Sequence, residues 1–287
     1  MDEEKEDKPS VGSHVLAVLL SLLDLEFLRQ ELKRFYAEEW RWRKFDCVCM
    51  LKLDIFRVFK QKDFTGIIRY LALHPEEAML LGFSELPSEK TIWHWENVRV
   101  GGHGWKHLFM VCIRKIRFLL SPFDIILGKH LGQDSTPVES TREDPDARFN
   151  PHYKLKMHKC HLLLDVELGL PLNYEGSNGV AYDGDYLLPL IEEAESNLET
   201  IAEDCVADGN YGSFENHAHM NMRGCPLFIN PAVTDVYHPE ASEEALEKEY
   251  QKFRHKDGWL PPEFISLRQL IEFLYMHGKL ELLGMFF

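Results

Sequence analysis

The stretch Lys154–Tyr174, KLKMHKCHLLLDVELGLPLNY, decides the fold of this chain. Lys154–Val166 reads as an extended strand, Leu168-Gly169-Leu170-Pro171 as a turn, and Leu172–Tyr174 as the start of a further strand. Upstream, Pro122–Gly132 carries Ile125, Ile126 and Leu127 side by side, which predicts a buried strand before this pair. Downstream, Asp185–Glu203 places Leu188, Ile191, Ala194, Leu198 and Ile201 on one helical face. Cys205-Val206-Ala207 then predicts a short strand ending at Asp208-Gly209, Ser213–Met222 a helix, Pro226–Ile229 a strand and Phe264–Leu283 a last helix. Three strands followed by alternating helices and strands indicate α/β architecture, a mixed sheet covered by helices.

The half before this sheet has helical spacing. Leu25, Leu28, Leu32 and Phe35 recur at three or four, as do Phe64, Ile67, Ile68 and Leu71. Ser88 and Thr91 are both candidate N-caps for a helix over Lys90–Arg99 that carries Trp93, His94 and Trp95; it suits either a reader of a DNA groove or a packed core helix. Gly101-Gly102-His103-Gly104 reads as a flexible turn. The expected organisation is a charged, disordered tail at 1–10, a helical N-terminal domain at 11–118, and a sheet domain at 119–287 with an exposed Glu- and Lys-rich insertion around 234–258.

Composition narrows the function. With 287 residues, 45% of them apolar, the chain can bury one large core or two modest ones. The apolar run Val15–Leu23 is followed by Asp24 and Glu26 and falls short of the roughly 20 residues a spanning helix needs. Six cysteines without a C-x-x-C pair suggest neither a disulfide framework nor a zinc ribbon and favour a reducing, cytoplasmic setting. His158 and Cys160 share a strand face from which His161 points away, so this cluster does not converge on zinc. No G-x-x-x-x-G-K-[ST] loop, H-E-x-x-H helix or G-x-S-x-G elbow occurs, and nucleotide hydrolysis, zinc proteolysis and serine-esterase chemistry lack their signals. The net charge of −15 argues against diffuse binding of a polyanion and leaves local patches to supply any phosphate contact. Candidates are Arg34–Lys44, Lys106–Arg117 and the trio Lys154, Lys156 and Lys159; each patch also suits a solvated face.

Asp134 and Asp208 are the candidate reactive groups. A mixed sheet with this strand order can set its first and fourth strands side by side and so bring the two carboxylates together, although Asp-Ser and Asp-Gly also form ordinary turns. Three segments decide between these readings. DSTPVESTR at 134–142, DPDARFNPHY leading into KLKMHKCH at 144–161, and ADGNYGS at 207–213 resemble, in order and spacing, the aspartate motifs of insertion-sequence transposases with the DDE catalytic set. FSELPSEKTIW at 83–93 looks like their N-terminal helical domain, and the resemblance extends over about residues 45–287.

The resemblance implies an RNase H-like core, Asp134 and Asp208 as metal ligands, and two magnesium or manganese ions. It also implies DNA partners, both element ends and target, and a homodimer that pairs two ends in the cytoplasm, at the nucleoid. Arg268, Glu272 and Lys279 have the R-x3-E-x6-K spacing of the family's third-acid signature. They make Glu272 the third ligand and add Arg268 and Lys279 to the DNA-contact candidates. Ile265 stands where that signature has tyrosine, and the ending also resembles a segment that precedes the signature in longer relatives. A truncated, catalytically inactive copy that only binds DNA or partner subunits is therefore the alternative, with a nuclease lacking strand transfer as a further one.

Overall fold

Short polar side chains start three helices of the N-terminal half. In the computed structural model, which describes residues 11–36, 44–140 and 143–229, seven helices precede the sheet among those residues. They are α1 (Val11–Leu22), α2 (Arg29–Lys33), α3 (Cys47–Phe59), α4 (Phe64–Leu73), α5 (Pro75–Leu80), α6 (Glu89–His94) and α7 (Gly101–Leu120). Asp46 accepts from the Val48 and Cys49 amides at the start of α3, Asp63 from Gly66 at the start of α4, and Ser88 from Thr91 at the start of α6. Each cap satisfies amides that the first helical turn leaves without partners. Thr91, the other cap candidate, lies inside α6, its hydroxyl 2.8 Å from that of Ser88.

The periodic leucines form the core of this half: Leu25, Leu28, Leu32, Ile67 and Leu71 are buried with Leu53, Phe56, Leu81, Ile92 and Trp95. Trp95 lies in a six-residue π-helical segment, Trp95–Val100, that continues α6, and its indole Nε1 donates to Asp54 Oδ2 at 2.7 Å. Gly101, expected in a turn, instead begins α7; its φ of +60° marks the break between the two helical segments.

Asp54 is fully buried, and its Oδ1 meets no hydrogen-bond partner among the described residues. Burial, reinforced by the neighbouring Glu96 carboxylate, pushes its pKa well above the ordinary 3.8. The folded state therefore holds this proton more tightly than the unfolded chain. The stabilisation is complete below about pH 4 and is lost as pH rises toward the folded pKa. Asp54→Asn is expected to flatten the fall in thermal stability between pH 4 and neutrality; melting curves across that range check it, and an unchanged slope would assign the titration elsewhere.

The sheet occupies the second half. Its strands are β1 (His130–Glu139), β2 (Arg148–Asn150), β3 (Leu155–Asp165) and β4 (Leu170–Asn178), followed by α8 (Leu187–Leu198), β5 (Asp204–Ala207), α9 (Phe214–Met222) and β6 (Leu227–Phe228). β3 pairs antiparallel with β1 on one edge; on its other edge it pairs with β4 over His158–Asp165 and with β2 over Leu155–Met157. β1 pairs in parallel with β5, and β5 in parallel with β6. The order β4-β3-β1-β5-β6, with β3 the antiparallel member and α8 crossing between β4 and β5, is the RNase H-like arrangement. The crossover helix is tied to the sheet by Asn173, whose amide donates to Leu190 O at 3.0 Å.

Two glycines carry the backbone where side chains cannot. Gly169 turns from β3 to β4 with φ +60°. A Cβ on Gly179 would come within 2.6 Å of Met157 O and 2.8 Å of Arg148 O. Both contacts are to backbone, so Gly179→Ala is expected to destabilise the protein by about 1–3 kcal/mol, as urea denaturation would measure.

The first strand departs from expectation. Ser121–Phe123 is a short 3-10 helix, Ile125 and Ile126 are exposed, and extended pairing starts only at His130. Left-handed backbone at Asp124 (φ +58°) and Gly128 (φ +83°) interrupts the apolar run. Asp134 accordingly sits inside β1 rather than after it.

Contacts divide the described chain between Val111 and Cys112, within α7. The expected tail at 1–10, the insertion at 234–258 and the last helix at 264–283 fall outside the described residues.

Candidate functional site

Strand register places the two aspartates. The parallel β1–β5 ladder pairs Leu131 with Cys205, Gly132 with Val206 and Gln133 with Ala207. The next residue on each strand is Asp134 on one and Asp208 on the other, so both stand at the same end of neighbouring strands. Both are half-buried. Asp134 Oδ1 accepts from the Ser135 amide at 2.7 Å, and Asp208 Oδ1 from the Gly209 amide at 2.5 Å. The Asp208-Gly-Asn-Tyr segment leaves β5 in a 3-10 turn at Gly209–Tyr211, and Ser213 then caps α9 by accepting from Asn216 at 3.1 Å. Asn216 Nδ2 donates back to Tyr211 O and Gly184 O, fixing this turn against the segment before α8.

A third carboxylate, which sequence reading missed, lies beside this edge. Asp183, in the 3-10 segment Asp183–Tyr186, is buried and accepts from Lys159 Nζ at 2.9 Å. The same ammonium donates to Ala181 O at 2.9 Å. Asn210 Nδ2 is 3.5 Å from Asp183 Oδ2 and 3.5 Å from Asp208 Oδ2, one amide between two carboxylates. In the sequence, Asp183-Gly184-Asp185 looks like the polar entry to a helix, and no spacing rule singles it out.

His161 is wholly buried beneath this network. Its ring stacks on Tyr186 at 3.9 Å between centroids and 6° between planes, and its Nε2 is 2.8 Å from Ser177 Oγ. Burial pushes its pKa down to about 4, with Asp183 opposing and Lys159 reinforcing the shift, so the imidazole is neutral at physiological pH. Tyr211, whose hydroxyl lies 3.4 Å from His161 Nδ1, and Tyr153 are both raised, first by burial and then by the aspartates Asp134, Asp183 and Asp208. Both phenols stay protonated and add no negative charge to an edge that already holds three carboxylates.

The expected DNA-contact lysines separate. Lys154 is exposed, whereas Lys156 donates to Asp144 O and Lys159 is the inward cation held by Asp183. Lys159, expected on the DNA-facing surface, is thus an internal counterion; its side chain is only 12% exposed. His158 leaves the expected His-Cys-His cluster to pair with Asp144 at 2.8 Å. Glu272, Arg268 and Lys279 lie outside the described residues. In the N-terminal half, Trp95 is core while Trp93 and His94 face outward. A cavity of about 380 Å³ there is lined by Tyr36, Phe45 and Trp95 together with Lys90, His94 and Arg99. Helix α6 therefore belongs to the core on one side and to a basic, aromatic-lined surface on the other.

No three His, Cys, Asp or Glu side chains among the described residues group to hold a metal. Asp134 and Asp208 nonetheless have the donor chemistry of a magnesium or manganese site. They are hard carboxylate oxygens, half-exposed and side by side, and these cations retain waters and substrate phosphates in their shells.

Residues 130–275 match the family model described as "Transposase DDE domain". No curated protein matches the chain. Among solved structures, the piggyBac transposase synaptic complex with hairpin DNA is similar at 12% identity and a TM-score of 0.36, covering 75% of this chain and 49% of that one. The Mos1 strand transfer complex is similar at 12% identity and a TM-score of 0.27, covering 78% of this chain and 75% of that one. A pre-cleavage Mos1 transpososome gives 12% identity and a TM-score of 0.26, over 96% and 95% of the two chains. This chain thus spans about half the length of the piggyBac chain. At these scores the likenesses add nothing to the sheet topology and the family match.

Proposed function

Because the chain belongs to the transposase DDE domain family, we propose that it cuts and joins DNA strands at the ends of a mobile element, with Asp134 and Asp208 as metal ligands and Glu272 as the third. The observation that carries this reading is the register Gln133↔Ala207, which sets Asp134 and Asp208 at one end of adjacent parallel strands. The chemistry supplied there by bound magnesium or manganese, taken as two ions, is activation of an attacking hydroxyl and stabilisation of the leaving oxygen in an in-line displacement at phosphorus.

Water attacks the phosphodiester at the element end, a new P–O bond forms, and the 3′ oxygen leaves as a hydroxyl. That hydroxyl then attacks a target phosphodiester in the same way. The amides of Ser135 and Gly209 each fix one oxygen of the aspartates, so the carboxylates are oriented before DNA arrives. Lys154, Arg268 and Lys279 contact DNA phosphates, the N-terminal helical half binds element ends through its basic, aromatic-lined surface, and two copies of the chain pair two ends. A second reading, a chain that binds DNA without cutting it, is favoured by Ile265 standing where the third-acid signature has tyrosine.

Cleavage and joining of labelled element-end DNA in manganese decides between them. The expected result is joined product from the wild type and none from Glu272→Ala. DNA bound but never cut by the wild type would overturn the catalytic reading in favour of the second one.

A further inference from the structure

We propose that Asp183 is a positioning residue that sequesters the ammonium of Lys159 and keeps it off Asp208, leaving the carboxylate edge open to a divalent cation; this rests on the reading of Asp134 and Asp208 as metal ligands. Lys159 and Asp183 form an enclosed ion pair beside that edge, at 2.9 Å and with side chains 12% and 6% exposed. The ammonium has a second anchor at Ala181 O, 2.9 Å away. Asn210 lies between Asp183 and Asp208 and within 3.5 Å of both. A lysine on a flexible four-carbon stem that lost Asp183 has Asp208 as a nearby alternative carboxylate.

A buried cation needs a nearby negative charge, because desolvation of an unpaired ammonium costs far more than a short swing of its stem. An ammonium docked on Asp208 would occupy the oxygens that a divalent cation requires and would cancel the charge that attracts it. Asp183 supplies the competing partner. Its own placement is fixed by the Asn216 amide, which holds Gly184 O at 3.0 Å and Tyr211 O at 2.8 Å and so ties the 3-10 segment leading into α8 to the turn that follows Asp208. The neutral, buried His161, 3.6 Å from Asp183, adds no positive charge to the pair.

The two halves of the pair therefore have opposite effects on cation binding, although breaking either leaves one buried charge uncompensated and costs stability. Asp183→Asn releases the ammonium toward Asp208 and is expected to weaken Mn2+ binding about tenfold or more. Lys159→Met removes the competing cation and is expected to leave Mn2+ affinity equal to or above that of the wild type. The double variant Asp183→Asn/Lys159→Met, which removes both charges, is expected to return close to the wild-type value.

Titration of the full-length protein with MnCl2, following free Mn2+ by its electron paramagnetic resonance signal, reads all three, with a thermal melt of each variant alongside. A purely structural role would weaken binding in both single variants in proportion to their lost stability, and that outcome overturns the proposal while leaving the metal site standing. Wild-type binding that is absent, or insensitive to Asp134→Ala and Asp208→Ala, overturns the metal-ligand reading and this proposal together.

Discussion

Replacing Asp134 or Asp208 with alanine is expected to reduce manganese-supported strand cleavage by on the order of 10³-fold or more, with the fold retained. The size follows from how ligands of one site behave: removing any member of a set that acts as a unit costs nearly as much as removing all of them. Asp183, the other carboxylate beside this edge, stands on a different segment and is engaged by Lys159, so it does not take the place of either strand-end aspartate. Fold retention is expected because both side chains are half-exposed at the ends of their strand pairing. Asp134 bonds the amide of the very next residue, and Asp208 caps the short turn at Gly209–Tyr211.

Loss of that cap in Asp208→Ala is expected to cost about 0.5–2 kcal/mol, which could be mistaken for a general loss of structure. Asp208→Asn separates the two effects. Its amide oxygen still accepts from the Gly209 amide, while the negative charge is gone. A melting temperature near the wild type with cleavage still abolished assigns the role to charge; substantial cleavage by Asp208→Asn would remove Asp208 from the metal-ligand set.

Trp95→Ala carries the largest expected loss of stability, about 3–5 kcal/mol. Trp95 is among the largest fully enclosed side chains of the N-terminal half, its ring lies 5.4 Å from that of Tyr36, and its indole is the donor to buried Asp54. Truncation opens a cavity and also leaves an acid group without its partner in a dry interior. Trp95→Phe retains much of the volume but not the N–H, so its cost, about 1–3 kcal/mol, isolates the lost hydrogen bond. Native-state hydrogen exchange of the α3 and α6 amides in the full chain would measure both. Equal effects of the two substitutions would mean that the hydrogen bond, not the packing, dominates, and a loss below about 1 kcal/mol in Trp95→Ala would contradict its place at the centre of this core.

The charge balance of the chain also becomes interpretable. A net charge of −15 argues against diffuse binding of a polyanion, yet several acids are spent within the fold. Glu96 pairs with Arg57 at 2.6 Å, Asp183 with Lys159 at 2.9 Å, and Asp54 is driven toward its neutral form. Some cations are spent in the same way, including Lys159, so a count of lysines in the sequence overstates the surface available to phosphates.

Sequence alone determined most of the order of the described elements in the second half, because local patterns report local structure; the three-residue strand Arg148–Asn150 gave no such pattern. The strand at Leu155–Asp165, the glycine turn at Gly169, the helix over Leu187–Leu198 and the short strand before Asp208 were all legible from periodicity and turn chemistry, although Ile201, expected on the apolar face of that helix, is exposed beyond its end. The cap at Ser88 was legible for the same reason. The first strand was misplaced because the residues that form it, HLGQDSTPVE, are mostly polar, and Leu131 is the one apolar side chain among them that is fully buried, so the apolar run before them gave the stronger signal.

What only the tertiary structure decided are relations between residues far apart in the chain. The β1–β5 register makes Asp134 and Asp208 neighbours, and the pairing of Lys159 with Asp183 turns an expected DNA contact into an internal counterion. A lysine on an amphipathic strand and an aspartate before a helix each look solvated when read locally. Their meaning depends on which buried charge lies opposite, and that is set when the sheet and the segment before α8 close on one another, burying both charges so that each requires the other.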